Sequence, residues 1–199
     1  MRNVKNKLIR TIEHEQPTIK GALGRLGMTG PNLATLMISA SVKTKASPEA
    51  VWETWRQIEL WSSWGKPLIA NARWLEGREW EVGTKIEQTN VWGFPFGRTV
   101  AIDIVKEVNH GQSVSWWKSA KGIRSCHIWF FEPLREGGTR IVKTEVFVGF
   151  TILLNKLVIK RKWKALFQES VDGLAKAVER ADARVPTGTA PEPTSSYSL

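Results

Sequence analysis

The chain has 199 residues, 42% of them hydrophobic, with a net charge of +10, one cysteine, and eleven tryptophans against a single tyrosine. That length can bury one good core and leaves no room for a second domain. A lone cysteine excludes an internal disulfide and a cysteine-rich metal site, so a cytoplasmic setting is the default.

Residues 1–35 carry six Lys/Arg against two Glu, and the weak amphipathic pattern of Val4, Leu8, Ile9 and Ile12 is broken up by Gly21, Gly24, Gly27 and Gly30. This part reads as a basic, flexible extension, with a membrane-surface or partner helix as the alternative. The first apolar run, Leu33 to Ala40, is too short to span a bilayer and too far from Met1 for a signal peptide. Most of it is the approach to a first strand. From Ile38 to Leu68 the sequence ISASVKTKASPEAVWETWRQIELWSSWGKPL turns from strand-like alternation to helix. Ser47 can cap that helix, Pro48 fits its first position, and Val51, Trp52 and Trp55 recur on one side. A second, short helix ends before Gly65.

Six segments of strand length follow: 72–76, 84–91, 99–108, 113–119, 124–132 and 139–149. Their separators are rich in glycine and polar residues, and such short connections imply an antiparallel meander. A long helix is then expected from about Ile152 to Arg184, with Leu153, Leu157, Val171, Leu174, Ala175 and Val178 along one stripe and a strongly basic opposite face. From Val185 onward VPTGTAPEPTSSYSL is rich in Pro, Thr and Ser and reads as a disordered tail.

Ala46, Ser47, Pro48, Glu49, Val51, Trp52, Trp61 and Trp64 resemble, position by position, the opening of the START-like (SRPBCC) superfamily. This is also called the helix-grip or polyketide cyclase/dehydrase-like superfamily, and it includes the birch-pollen-allergen-like proteins. A second passage, HIWFFEPLREGGTRIVKTEVFVGF, resembles a pattern of several bacterial members through His127, Pro133, Gly137, Gly138, Thr139, Arg140, Glu145, Phe147 and Gly149. Trp129 replaces the first aromatic of that pattern and Phe131 keeps the second. The resemblance covers about residues 37–182. It implies an α+β helix-grip fold, with a curved antiparallel sheet of about seven strands around a long C-terminal helix and two short helices after strand one. The domain is then expected over residues 36–184.

The chemistry legible in the residues is sparse. Alternation puts His127, Trp129 and Phe131 on one face of their strand and Lys143, Glu145 and Phe147 on one face of the next. A hairpin loop of odd length would bring His127 to Glu145, and a buried pair of this kind can move protons on an enolisable substrate. Otherwise Glu145 pairs with Lys143, Arg140 or a neighbouring strand on the solvent side. His14, His110 and His127 lack ligand spacing, so no metal is expected; phosphate loops and activated nucleophiles are absent too. Cys126 reads as buried and inert. Around Pro95, Trp92, Phe94 and Phe96 place aromatics at a hairpin tip, where they either grip a ligand or membrane or fold back over the end of the sheet. The basic stretch from Lys156 to Phe167 suits water, an anionic membrane surface or, least readily, nucleic acid, since no base-reading motif accompanies it.

The expected function is therefore binding of a hydrophobic or aromatic small molecule, lipid or polyketide-like, between the sheet and the last helix. The expected lining is Trp92, Phe94, Trp116 or Trp117, Trp129, Phe131, Phe147, Leu153 and Leu157, with His127 and Glu145 as the polar groups. The resemblance also implies the rival of a cyclase or dehydrase using His127 and Glu145 as acid and base, without cofactor. A third expectation is a peripheral protein that takes up lipid while its basic surface rests on anionic headgroups.

Overall fold

The computed structural model describes residues 35–94, 96–120 and 123–183; the basic extension and the tail lie outside them. The elements in order are β1 (Thr35–Thr44), α1 (Pro48–Trp55), a 3₁₀ turn (Ile58–Leu60), α2 (Trp61–Trp64), β2 (Ile69–Glu76) and β3 (Lys85–Gly93). Then come β4 (Gly97–Asn109), β5 (Ser113–Ala120), β6 (Ile123–Pro133), β7 (Thr139–Val148) and α3 (Phe150–Asp182). The strands form one antiparallel sheet in the order β1-β7-β6-β5-β4-β3-β2. Only the pairing of β1 with β7 joins strands distant in sequence. The chain can make it because α1 and α2 carry it from β1 across the concave face to β2, at the far edge.

Local chemistry sets the boundaries. Ser47 Oγ accepts the Ala50 N–H at 3.2 Å and Pro48 opens α1, so the cap satisfies a donor that the helix cannot. The inward residues of α1, Val51, Trp52 and Trp55, are all buried. On the sheet, alternation sends Trp116, His127, Trp129, Phe131, Lys143, Glu145 and Phe147 inward. Cys126, Ile128, Val146 and Val148 form a separate cluster on the convex side, flanked by Trp117 and Phe130. The buried stripe of α3, including Ile159, Trp163, Phe167, Val171, Leu174 and Val178, lies along the concave face.

Inside, the tryptophans gather under α1. Trp55 lies 4.4 Å from Trp80, 5.5 Å from Trp61 and 5.3 Å from Phe131, centroid to centroid, and Trp61 stacks on Trp116 at 5.7 Å. Two of their N–H groups are satisfied by backbone, Trp61 donating to Trp55 O at 2.6 Å and Trp80 to Arg56 O at 2.9 Å. This half of the interior is solid.

Candidate functional site

The β6–β7 loop has five residues, 134–138, and the odd count brings His127 directly opposite Glu145 in the ladder. His127 Nδ1 stands 3.2 Å from Glu145 Oε2, although the two are not aligned as a hydrogen bond. Glu145 is held from its other oxygen. Ser125 Oγ donates to Oε1 at 2.6 Å, and Lys118 Nζ, one strand further, lies 3.3 Å from the same atom. Asp103 on β4 sits beside Lys118 in register, buried, with neither oxygen accepting a hydrogen bond of good geometry. Lys143, two residues before Glu145, donates to Ser170 Oγ of α3 at 3.0 Å and lies over the rings of Trp129 and Phe167. Five ionisable side chains from four neighbouring strands thus share the concave face.

Burial dominates the electrostatics of Asp103, Lys143 and His127 because taking a charge out of water disfavours the charged form. It pushes Asp103 up to about 7 against the pull of Lys118, with repulsion from Glu145 adding to the rise and the nearby Trp116 N–H opposing it slightly. It pulls Lys143 down to about 7, opposed by Glu145 and helped by Lys118. His127 is held well below its ordinary value by burial and then by the charges of Lys143 and Lys118, so the ring is neutral. Lys118 is the exception. Burial pulls it down too, but Glu145 and Asp103 together outweigh that and raise it. Chemically this leaves a lysine firmly charged, a neutral imidazole beside a carboxylate, and two groups poised to exchange protons near neutrality.

A cavity adjoins the cluster at the end of the sheet where β3, β5 and β7 finish. It measures about 40 Å3 and is lined by Trp92, Phe96, Thr99, Ala101, Lys118, Ile123, Ser125, Phe147 and Trp163. Phe96, Thr99 and Ile123, all half-buried, form its rim. Of the residues expected to line a cavity, Trp92 and Phe147 do so. Trp116, Trp129 and Phe131 stand instead in the solid half, because Trp52, Trp55 and Trp80 occupy the space beside them. Trp117 points to the convex side. Phe94 is exposed at the hairpin tip, whereas Phe96 folds back against Trp163 with 5.1 Å between centroids. The side chains of Leu153 and Leu157 lie outside the described residues.

His127 and Glu145 do not border this cavity; Ser125 and Lys118 stand between. These two, with Asp103 and Trp163, were not legible as site residues. Lys118, Ser125 and Asp103 occupy inward alternation positions, where a charged residue such as Lys118 or Asp103 is the available signal, and Trp163 lies on the buried stripe of α3 with Ile159 and Phe167. Among the described residues no three His, Cys, Asp or Glu side chains come together as a metal would need. No described helix is long and apolar enough to cross a membrane.

A family model described as "Polyketide cyclase / dehydrase and lipid transport" matches residues 35–179, and the chain belongs to that family. Solved structures share the fold at low identity. A protein of Thermus thermophilus, TTHA0849, superimposes with a TM-score of 0.60 at 17% identity, covering 73% of this chain and 99% of that one. The hypothetical protein jhp0584 of Helicobacter pylori gives 0.61 at 19%, covering 72% and 88%. The Zhui aromatase/cyclase of Streptomyces sp. R1128 gives 0.61 at 13%, covering 78% and 99%. The sequence matches no protein of curated function.

Proposed function

We propose that the protein binds a compact hydrophobic or aromatic molecule carrying one electronegative oxygen. Its apolar body would rest between Trp92, Phe147 and Trp163, with the oxygen on Lys118 and Ser125. The observation that carries this reading is a charged lysine at the wall of a mainly apolar cavity, with Ser125 beside it. Burying apolar ligand surface contributes about 25 cal/mol per Å2, and a single charged donor fixes orientation. Lys118 has three N–H donors and spends one on Glu145, so it can serve a carbonyl, carboxylate or enolate oxygen without losing that partner.

The space of about 40 Å3 holds a water or two. A six-membered ring needs roughly 150 Å3. Ligand uptake therefore requires Phe96 and the tip that carries it to swing away from Trp163. Native mass spectrometry of the purified protein, followed by organic extraction, tests the reading: a stoichiometric compound with an aromatic or apolar body is expected. Lys118→Met should weaken its binding about tenfold or more, as loss of a charged hydrogen bond does. Undiminished affinity in that variant would sink the assignment of Lys118.

The second reading is a cyclase or dehydrase, favoured by the 3.2 Å approach of His127 to Glu145 behind the cavity wall. Here Lys118 would steady an enolate while the Glu145 carboxylate and neutral His127 pass a proton by way of Ser125. Glu145→Gln keeps an acceptor for Ser125 and is expected to abolish turnover while leaving ligand affinity largely intact. Full turnover by that variant would leave only the binding role.

A further inference from the structure

The surface charge of the molecule divides between its two ends. The β3–β4 tip, the β5–β6 turn, the close of β7 and the start of β1 lie at one end, together with the cavity. Exposed Arg98 and Arg124 stand there. Exposed Lys160, Arg161, Lys162 and Lys164 join them, on the turn of α3 whose Trp163 lies 4.5 Å from Trp92 and 5.1 Å from Phe96. Lys162 reaches over the backbone of Gly93 in the tip itself.

Carboxylates are missing from this end among the described residues. Between Glu87 and Glu169, Asp103 and Glu145 are buried, and Glu107, Glu132 and Glu136 belong to the opposite end of their strands. The surface ion pairs, including Lys43 with Glu136, Arg73 with Glu87, Lys85 with Glu76 and Arg140 with Glu132, also sit toward that other end. Two large aromatics break the surface at the cationic end: Phe94 is 83% exposed at the hairpin tip and Phe150 is 70% exposed at the start of α3. The basic N-terminal extension, with its excess of four positive charges, also joins the domain here at Thr35.

We propose that this end docks on an anionic lipid surface, with Phe94 and Phe150 in the interfacial layer and the six cations against headgroups. Aromatic side chains favour the headgroup level and cations the negative surface potential of anionic lipid. The two phenylalanines sit on separate protruding elements and form no stacking platform for bases, which argues for lipid over nucleic acid. Docking in this orientation would turn the rim of the cavity, and the Phe96 that closes it, toward the lipid. The inference rests on the surface alone and is independent of what the cavity holds.

The test uses the full chain and sedimentation with vesicles of phosphatidylcholine, alone or mixed equally with phosphatidylglycerol, at low and high salt. Binding to the mixed vesicles only, lost at high salt, is expected. Replacing Lys160, Arg161 and Lys164 together by glutamine should lower it about 100-fold, roughly fivefold for each cation. Insertion has its own readout. Cys126 is buried with 1% exposure, so Phe94→Cys offers one reactive thiol for a polarity-sensitive fluorophore, and Val82→Cys, at a site 68% exposed at the other end, is the control. A blue shift at position 94 and none at 82 supports the proposal. Equal shifts at both positions, equal binding to neutral vesicles, or retention by a nucleic acid duplex with no vesicle binding would each overturn it. Vesicle docking by a protein that binds no small molecule would uphold this inference while removing the reading of the cavity.

Discussion

Lys143 is the most costly side chain in the interior. It is wholly buried, it donates a hydrogen bond to Ser170, and two aromatic faces and the charge of Glu145 supply further attraction. In the unfolded chain its amine stays protonated up to about 10.5, whereas in the fold it loses its proton near 7. Between those values the unfolded state binds the extra proton, so stability from this group rises with pH, and below about 7 the full cost of the buried ammonium is present. Asp103 runs the other way. Its carboxyl keeps a proton up to about 7 in the fold but only to 3.8 when unfolded, so its contribution falls as pH rises through that window. The two costs meet near neutrality. Lys143→Met, which keeps the aliphatic stem against Trp129 and Phe167, should raise stability at mildly acid and neutral pH by roughly 1–4 kcal/mol and remove the alkaline rise. Asp103→Asn should instead stabilise above neutrality and do little in acid. Urea denaturation across pH measures both, and parallel profiles for the two variants would contradict the assignment.

At the level of elements, α3 packs closely against α2 through one glycine. Gly173 faces the backbone of Trp64 at the end of α2, and a Cβ there would overlap the Trp64 carbonyl. Gly173→Ala gains about 1 kcal/mol of helix propensity. It must push α2 off α3 to do so, and a forced backbone shift of this kind typically costs about 1–3 kcal/mol or more. A net fall in melting temperature is therefore expected, and a rise would mean that α2 yields freely. Sequence periodicity sees neither side of this balance, because the glycine looks like an ordinary weak point in a helical stripe. The elements themselves were legible where chemistry is local. Ser47 and Pro48 announce α1, and alternation around His127 and Glu145 places β6 and β7 within a residue or two of where they lie. Missed at the edges were the first three residues of β2 and the stretch of β3 into the tip, where tertiary pairing extends strands past their propensity.

The whole molecule is a sheet gripping a helix, solid under α1 and hollow at the cationic end. The meander and the final helix were visible in turn spacing and periodicity. How the interior divides was not, because it depends on Trp80. That residue lies in a connection that reads as a hairpin turn, yet it adopts a left-handed backbone with φ of 57° and turns its ring in among Trp52, Trp55 and Trp61. Such a conformation is strained for a bulky residue, and burial of a large ring against three others offsets it. With that space taken, the cavity beside the ionisable cluster lies in the other half, where Trp163 is the wall that α3 supplies. Trp163→Ala should cost about 3–5 kcal/mol and leave a void joined to the existing cavity. Indole has the shape of what was removed, so added indole should restore part of the lost melting temperature, by about 2.7 kcal/mol at a hundredfold excess over its dissociation constant. The unaltered protein, with its cavity of about 40 Å3, should show no such shift. Recovery in the variant alone would mean that the hollow end is preformed and reachable from solvent. A melting temperature that falls and ignores indole would mean that the sheet collapses onto α3, and that the space holds its shape only while the tryptophan props it open.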